Sequence, residues 1–227
     1  MITANLEKIS EKISLSAGRI GKCADDITLI AVTKKIEPRY ITEAVNFGVK
    51  NIGESKVQEA LDKKSRISED ALWHLIGNLQ TNKAKKAVQL FDMIQSVDSV
   101  RLAESINKYA EEIDKIQDCL IEIKISDEEA KHGIPVETVD AFLSRAGSWP
   151  HMRIRGLMTI APYFDDREKS RPYFKKMNQL FDACRKKTYA DNVTMSVLSM
   201  GMSIDFETAI EEGSTMVRIG TAIFGQR

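Results

Sequence analysis

The stretch Ile27-Thr-Leu-Ile-Ala-Val-Thr33 decides the fold class. It is short, nearly continuous in apolar side chains and rich in β-branched residues. A strand with one wet face alternates apolar and polar residues, whereas a strand buried on both faces does not. Such strands belong to parallel sheets covered by helices. Downstream, Pro38 stands where a helix would start and Gly48 where it would stop. Val49-Lys-Asn-Ile52 is the next predicted strand, followed by a helix over about 55–66.

Outward from there the alternation repeats. Strands are predicted at 72–76, 93–97, 119–125, 152–157, 195–198 and 216–219, with helical periodicity between them. One helix carries Leu102, Ile106, Tyr109, Ile113 and Ile116 behind an Asp98 cap; another carries Phe174, Met177, Phe181 and Cys184. Ahead of Ile27, a stripe of Leu6, Ile9, Ile13 and Ile20 predicts an extra N-terminal amphipathic helix. Eight β/α units in 227 residues predict an α/β fold, a TIM-type (β/α)₈ barrel forming one domain over 1–227. The alternative is an open doubly wound sheet, but no Gly-x-Gly-x-x-Gly turn follows the first strand.

Composition bounds the function. Lysine plus arginine (33) balance aspartate plus glutamate (33), so the totals give no basic footprint for nucleic acid. The runs Lys83-Ala-Lys85-Lys86 and Arg185-Lys186-Lys187 fall on helix-like segments and read as solvated faces. Three widely spaced cysteines, Cys23, Cys119 and Cys184, make neither a disulfide framework nor a metal-ligand pattern. No secretory h-region or apolar run of membrane-spanning length is present, and a cytoplasmic location without membrane association is expected. Charged outer helix faces predict a monomer.

Three positions invite chemistry. Lys34 follows the apolar run directly, and strand C-termini form the active-site floor of a barrel. Partial desolvation there would favour a neutral amine able to attack a carbonyl; a snorkelling surface lysine is the equal alternative. Ser199-Met-Gly-Met-Ser203 follows strand seven, with Ser203 as the expected cap of the next helix, and Gly220-Thr221 follows strand eight. Two small-residue loops at these positions, each opening a helix, are what a barrel phosphate site requires. Arg218 is the odd residue in an apolar strand. Alternation puts it on one face with Met216 and Gly220, opposite Val217 and Ile219. An ion pair with Asp205 or Glu207 is its plain structural alternative. Of the histidines, only His74 falls within a strand near this region.

With those residues in view, the sequence resembles the pyridoxal phosphate homeostasis proteins, single-domain barrels similar to the N-terminal domain of alanine racemase. The resemblance covers essentially the whole chain. It rests on Ala31-Val-Thr-Lys34, Gly53-Glu54 with Val57-Gln-Glu59, His74-Leu-Ile-Gly77 with Leu79-Gln-Thr-Asn-Lys83, Arg155-Gly-Leu-Met158, Ser199-Met-Gly-Met-Ser203 and Gly213-Ser-Thr-Met-Val-Arg-Ile-Gly-Thr-Ala-Ile-Phe-Gly225. It implies pyridoxal 5′-phosphate (PLP) as cofactor, held as a Schiff base on Lys34. Ser203 and the N–H groups of Gly220 and Thr221 would hold the phosphate, with Ser199 nearby, and Arg218 would face the pyridine nitrogen. Ser55, His74, Met158 and Met200 complete the implied surroundings. Ser55 stands where the family commonly has asparagine.

The resemblance implies storage, buffering or delivery of PLP, with apo PLP-dependent enzymes as recipients, and no enzymatic turnover. An arginine facing the pyridine nitrogen leaves it unprotonated and weakens the electron sink. Alanine racemase has that arginine too, but its second domain completes the site. A slow amino-acid racemase and a cofactor-free Schiff-base aldolase are the competing readings.

Overall fold

Parallel strand registers close a ring. The computed structural model describes residues 1–67, 70–126 and 132–226. Its strands are β1 (Thr28–Val32), β2 (Asn51–Glu54), β3 (Leu72–Leu75), β4 (Met93–Val97), β5 (Gln117–Lys124), β6 (Ile134–Pro135), β7 (Met152–Met158), β8 (Val193–Ser199) and β9 (Met216–Ile219). β1 pairs with both β2 and β9, and the β4–β5 pairing completes an eight-stranded parallel barrel. The two-residue β6 lies outside that ring and, among the described residues, pairs with the end of β5 (Ile123 with Ile134).

Helices fill the connections: α1 (Ile2–Arg19), α2 (Pro38–Asn46), α3 (Val57–Lys64), α4 (Ala84–Leu90), α5 (Val100–Glu111), α6 (Val139–Leu143), α7 (Arg171–Arg185), α8 (Phe206–Glu211) and α9 (Thr221–Phe224). The predicted barrel and extra leading helix are the observed ones. Proline opens α2 because its missing N–H would go unpaired in the first turn anyway.

Strand alternation divides the core. Ile30, Met93, Leu120, Met158 and Met216 form an inner cluster, while Ala31, Val217 and Ile219 pack outward with α1 residues Leu6, Ile9 and Ile13. Asn5 Nδ2 donates to Ile223 O at 2.8 Å, and Lys12 pairs with Glu207 at 2.9 Å, so α1 is tied to α8 and α9 beside the last strand. The Lys83–Lys86 and Arg185–Lys187 runs are exposed apart from Ala84, as solvated faces should be.

Local boundaries differ from the sequence reading where side chains choose other partners. Ser99 caps α5, its Oγ accepting from Leu102 N at 3.3 Å; Asp98 lies one residue too early and accepts from Asn78 instead. α5 stops at Glu111, leaving Ile113 and Ile116 exposed beyond it. Among the described residues, no helix is long and apolar enough to cross a membrane.

Candidate functional site

The C-terminal strand ends gather the residues singled out above. The β1–β2 ladder runs one residue past β1, with Thr33 N donating to Gly53 O at 3.0 Å, and Lys34 follows in a turn. Lys34 is exposed, not partly desolvated as its place behind an apolar strand suggested, because the chain leaves the rim there. Lys35 takes a left-handed φ of 61°, and Ile36 N returns to Thr33 O at 2.9 Å.

A charged clamp lies under this turn. Lys63 Nζ donates to Thr33 O (2.6 Å), Glu54 Oε1 (2.8 Å) and Glu59 Oε1 (2.7 Å). Thr33 Oγ1 donates to Glu54 Oε1 at 2.6 Å, and Lys35 N donates to Glu59. Glu54 is 0 % exposed and Lys63 7 %. Burial pushes the Glu54 carboxyl up despite the hydrogen bonds from Lys63 and Thr33. Burial also acts on Glu59, but Lys63 and the Lys35 N–H outweigh it and hold that carboxyl down. The clamp is not legible in the sequence, where Glu59 and Lys63 at i and i+4 look like an ordinary helix-surface pair.

The two small-residue loops also meet. Ser203 Oγ accepts from Gly220 N at 3.1 Å and from Ala222 N at 3.3 Å. Ser203 is therefore not the cap of α8, which starts only at Phe206; it caps α9 across the two loops instead. The hydrogens of both main-chain amides are thus engaged by the serine oxygen, and the Gly220 N–H expected to meet a phosphate is given to Ser203 instead. With both lone pairs engaged, the hydroxyl keeps its hydrogen to donate. Gly201 allows the loop its path: φ is +92°, and a Cβ there would sit 2.5 Å from Ala209 Cβ. Thr221 is exposed beside this junction.

Arg218 lies inside the barrel, 3 % exposed, with Met216 on the same inward face as predicted. Its guanidinium donates to Ser199 Oγ at 2.7 Å and to Thr159 O at 2.8 Å. The ion-pair alternative does not hold: Glu207 pairs with Lys12 and Arg167, and Asp205 accepts from Met202 N. Burial lowers the Arg218 pKa to about 10 against the pull of Glu122 and Asp205, so the group stays charged near neutrality.

Ser199 in turn donates to Gln95 Oε1 at 2.8 Å. Gln95 Nε2 lies 3.1 Å from His74 Nδ1, and His74 Nε2 lies 3.0 Å from Asn51 Oδ1. Burial drives His74 down to about 4 against the carboxylates of Asp92 and Asp118, so it is neutral at pH 7. Gln95 was not singled out in the sequence, although a polar residue inside an otherwise buried strand was the available signal.

The remaining residues take different surroundings. Ser55 follows β2, half-buried and packed against Gly77, where an added Cβ would come within 2.4 Å of Ser55 O. Met158 is sealed in the inner apolar cluster and Met200 in the larger core outside it. Glu122, on β5, has its carboxyl pushed up to about 7 by burial and by Asp98, with Arg218 and His132 opposing.

These residues fit a phosphorylated aldehyde: an accessible lysine at a clamped turn, a serine hydroxyl free to donate beside Thr221, and a buried cation whose hydrogen-bond partners among the described residues are Ser199 Oγ and Thr159 O. Among the described residues, no group of three or more histidine, cysteine, aspartate or glutamate side chains could hold a metal.

The family described as "Alanine racemase, N-terminal domain" matches residues 5–227. A pyridoxal phosphate homeostasis protein of Aquifex aeolicus is 40% identical, covering 98% of this chain and 96% of its own length. A protein of the same name from Escherichia coli is 38% identical over 100% of this chain and 97% of its own. Among solved structures, PipY of Synechococcus elongatus with PLP bound superposes with a TM-score of 0.85 at 32% identity, covering 99% of this chain and 100% of that one.

Proposed function

This chain belongs to the alanine racemase N-terminal domain family, among its pyridoxal phosphate homeostasis proteins, and we propose that it holds PLP on Lys34 as a Schiff base for storage, buffering or delivery. The observation that carries this reading is Arg218, a buried cation whose partners are Ser199 Oγ and Thr159 O, beside the joined Ser203 and Gly220 loops.

Each side chain then has a task. Lys34, exposed at the rim, would supply the amine that holds the PLP aldehyde. The Thr33–Glu54–Glu59–Lys63 clamp keeps the turn that carries Lys34 against the barrel rim. The Ser203 hydroxyl, its oxygen fixed by the Gly220 and Ala222 amides, would donate to the phosphate together with the neighbouring Thr221 N–H. Arg218 would donate to the pyridine nitrogen without protonating it, because a guanidinium gives up its proton far less readily than a pyridinium. Bound PLP supplies an electron sink for carbanions only weakly under that condition. The site therefore retains the cofactor better than it uses it, and apo PLP-dependent enzymes are the recipients of what it releases.

One observation favours a second reading, a slow racemase. Glu122 is a buried carboxyl on β5 that burial pushes up to about 7 against the opposing charge of Arg218, in the range a proton-transfer group uses. Loading the protein with PLP and following α-hydrogen exchange of added alanine separates the two. The storage reading expects a visible absorption band and exchange far below ordinary enzyme rates. Turnover on the order of 1 per second or faster would replace it with the racemase.

A further inference from the structure

The polar side chains inside the barrel allow only one arrangement of hydrogens. Arginine only donates, so the 2.7 Å contact makes Ser199 Oγ the acceptor. The serine hydrogen then goes to Gln95 Oε1 at 2.8 Å. That fixes the amide: its nitrogen faces His74 Nδ1 at 3.1 Å and the sulfur of Met216 at 3.2 Å. His74 Nδ1 must be unprotonated, and its proton sits on Nε2, donated to Asn51 Oδ1 at 3.0 Å. The chain descends from the mouth at Arg218 to Asn51, the first residue of β2. Gln95 is 0 % exposed, so no water can substitute for a lost partner without rearrangement.

We infer that Gln95 and His74 are positioning residues for Arg218: a relay of fixed polarity holds Ser199 as an acceptor and so aims the guanidinium at the pyridine nitrogen of bound PLP. This rests on the function proposed above. Neither residue touches the ligand in this scheme; both act through Ser199. Reversing the relay would turn the Gln95 amide hydrogens onto Ser199, which would then face donors on both sides and lose its own acceptor.

The test compares wild type with Gln95→Met, Gln95→Glu and Ser199→Ala. In ligand-free wild-type protein, ¹⁵N NMR should find His74 as the neutral Nε2–H tautomer at pH 7. Gln95→Glu offers acceptors to both Ser199 and His74, so His74 should become an imidazolium while Arg218 keeps its serine acceptor. With PLP bound, Gln95→Met and Ser199→Ala should shift the ¹⁵N signal of the labelled pyridine nitrogen. They should also raise the dissociation rate by roughly threefold to tenfold, the worth of one imperfect hydrogen bond. Gln95→Glu should stay within about twofold of wild type on the same scale. A wild-type His74 carrying its proton on Nδ1 would overturn the relay. So would a pyridine signal and dissociation rate in Gln95→Met and Ser199→Ala equal to wild type. Wild-type protein that takes up no PLP would instead defeat the function proposed above, with the His74 tautomer in the ligand-free protein still deciding the relay's polarity.

Discussion

Arg218 donates to Ser199 Oγ at 2.7 Å in the interior of the barrel, so that the cation most important to the site is held by a neutral hydroxyl and a main-chain carbonyl. A guanidinium in this position retains donors for a ligand. A carboxylate partner would have consumed them.

Replacing Arg218 should therefore affect the ligand and the fold differently according to the replacement. Arg218→Ala leaves Ser199 and Thr159 O without their donor, and an unmet buried polar group costs about 1–3 kcal/mol. Arg218→Glu adds a negative charge near Glu122, Asp205 and the phosphate position, so PLP binding should weaken further than in the alanine variant. Equilibrium urea unfolding and PLP titration measure the two effects. Equal PLP affinity in Arg218→Glu and wild type would place the ligand elsewhere.

The clamp under Lys34 makes a second prediction. Lys63→Met leaves Glu54 buried without its cation, and breaking one half of a buried pair costs about 3–5 kcal/mol. The double change Glu54→Met with Lys63→Met should recover most of that loss, since an apolar pair of similar volume is often neutral or better. Both variants should load PLP more slowly than wild type, because the turn at Lys34 loses the bond to Thr33 O. Unfolding midpoints and the rate of growth of the visible band report this. Unchanged loading would show that the clamp serves stability alone.

Gly201 offers a local test of the phosphate loop. Its φ of +92° and the 2.5 Å approach of a built Cβ to Ala209 Cβ make Gly201→Ala strained on two counts. A loss of about 1–3 kcal/mol in stability is expected from the backbone term alone. Phosphate or PLP affinity should fall along with it. Full stability by urea unfolding would contradict the loop geometry.

Two buried groups give opposite pH dependences. Glu122, raised by burial to about 7, is neutral when folded at acid pH; the stability this brings is full below its unfolded value and lost as pH rises through 7. His74, lowered by burial to about 4, is neutral when folded, so stability is lost as pH falls from the ordinary histidine value toward 4. Between about pH 4.5 and 6.5 the two slopes oppose each other, each approaching about 1.4 kcal/mol per pH unit. Glu122→Gln should remove one and expose the other. Its stability relative to wild type should rise with pH across that window, and a constant difference would show that Glu122 titrates normally.

Much of this architecture was legible in the chain. The apolar run ending at Val32 and its repeats placed the strands, because a strand buried on both faces leaves few positions for polar residues. Arg218 was recognisable as an exception to that rule, and Asn51, His74, Gln95 and Ser199 are exceptions of the same kind. What their positions did not reveal is that five different strands bring them into one chain of hydrogen bonds. A serine before a helical run is an ordinary cap signal and points Ser203 to α8, whereas its actual partners, Gly220 and Ala222, lie in the next loop. The exposure of Lys34 depends on where the rim ends, which the ladder bond from Thr33 to Gly53 sets. The Glu54–Lys63 contact needed the packing of α3 on β2 before it could be seen.

The central claim is the bond to Lys34, and borohydride reduction of the PLP-loaded protein followed by peptide mass mapping tests it most directly. The adduct should lie on Lys34, and Lys34→Ala should lose the visible band while keeping its fold, since an exposed turn lysine contributes little to the core. An adduct on another lysine, with Lys34 unmodified, would contradict the account.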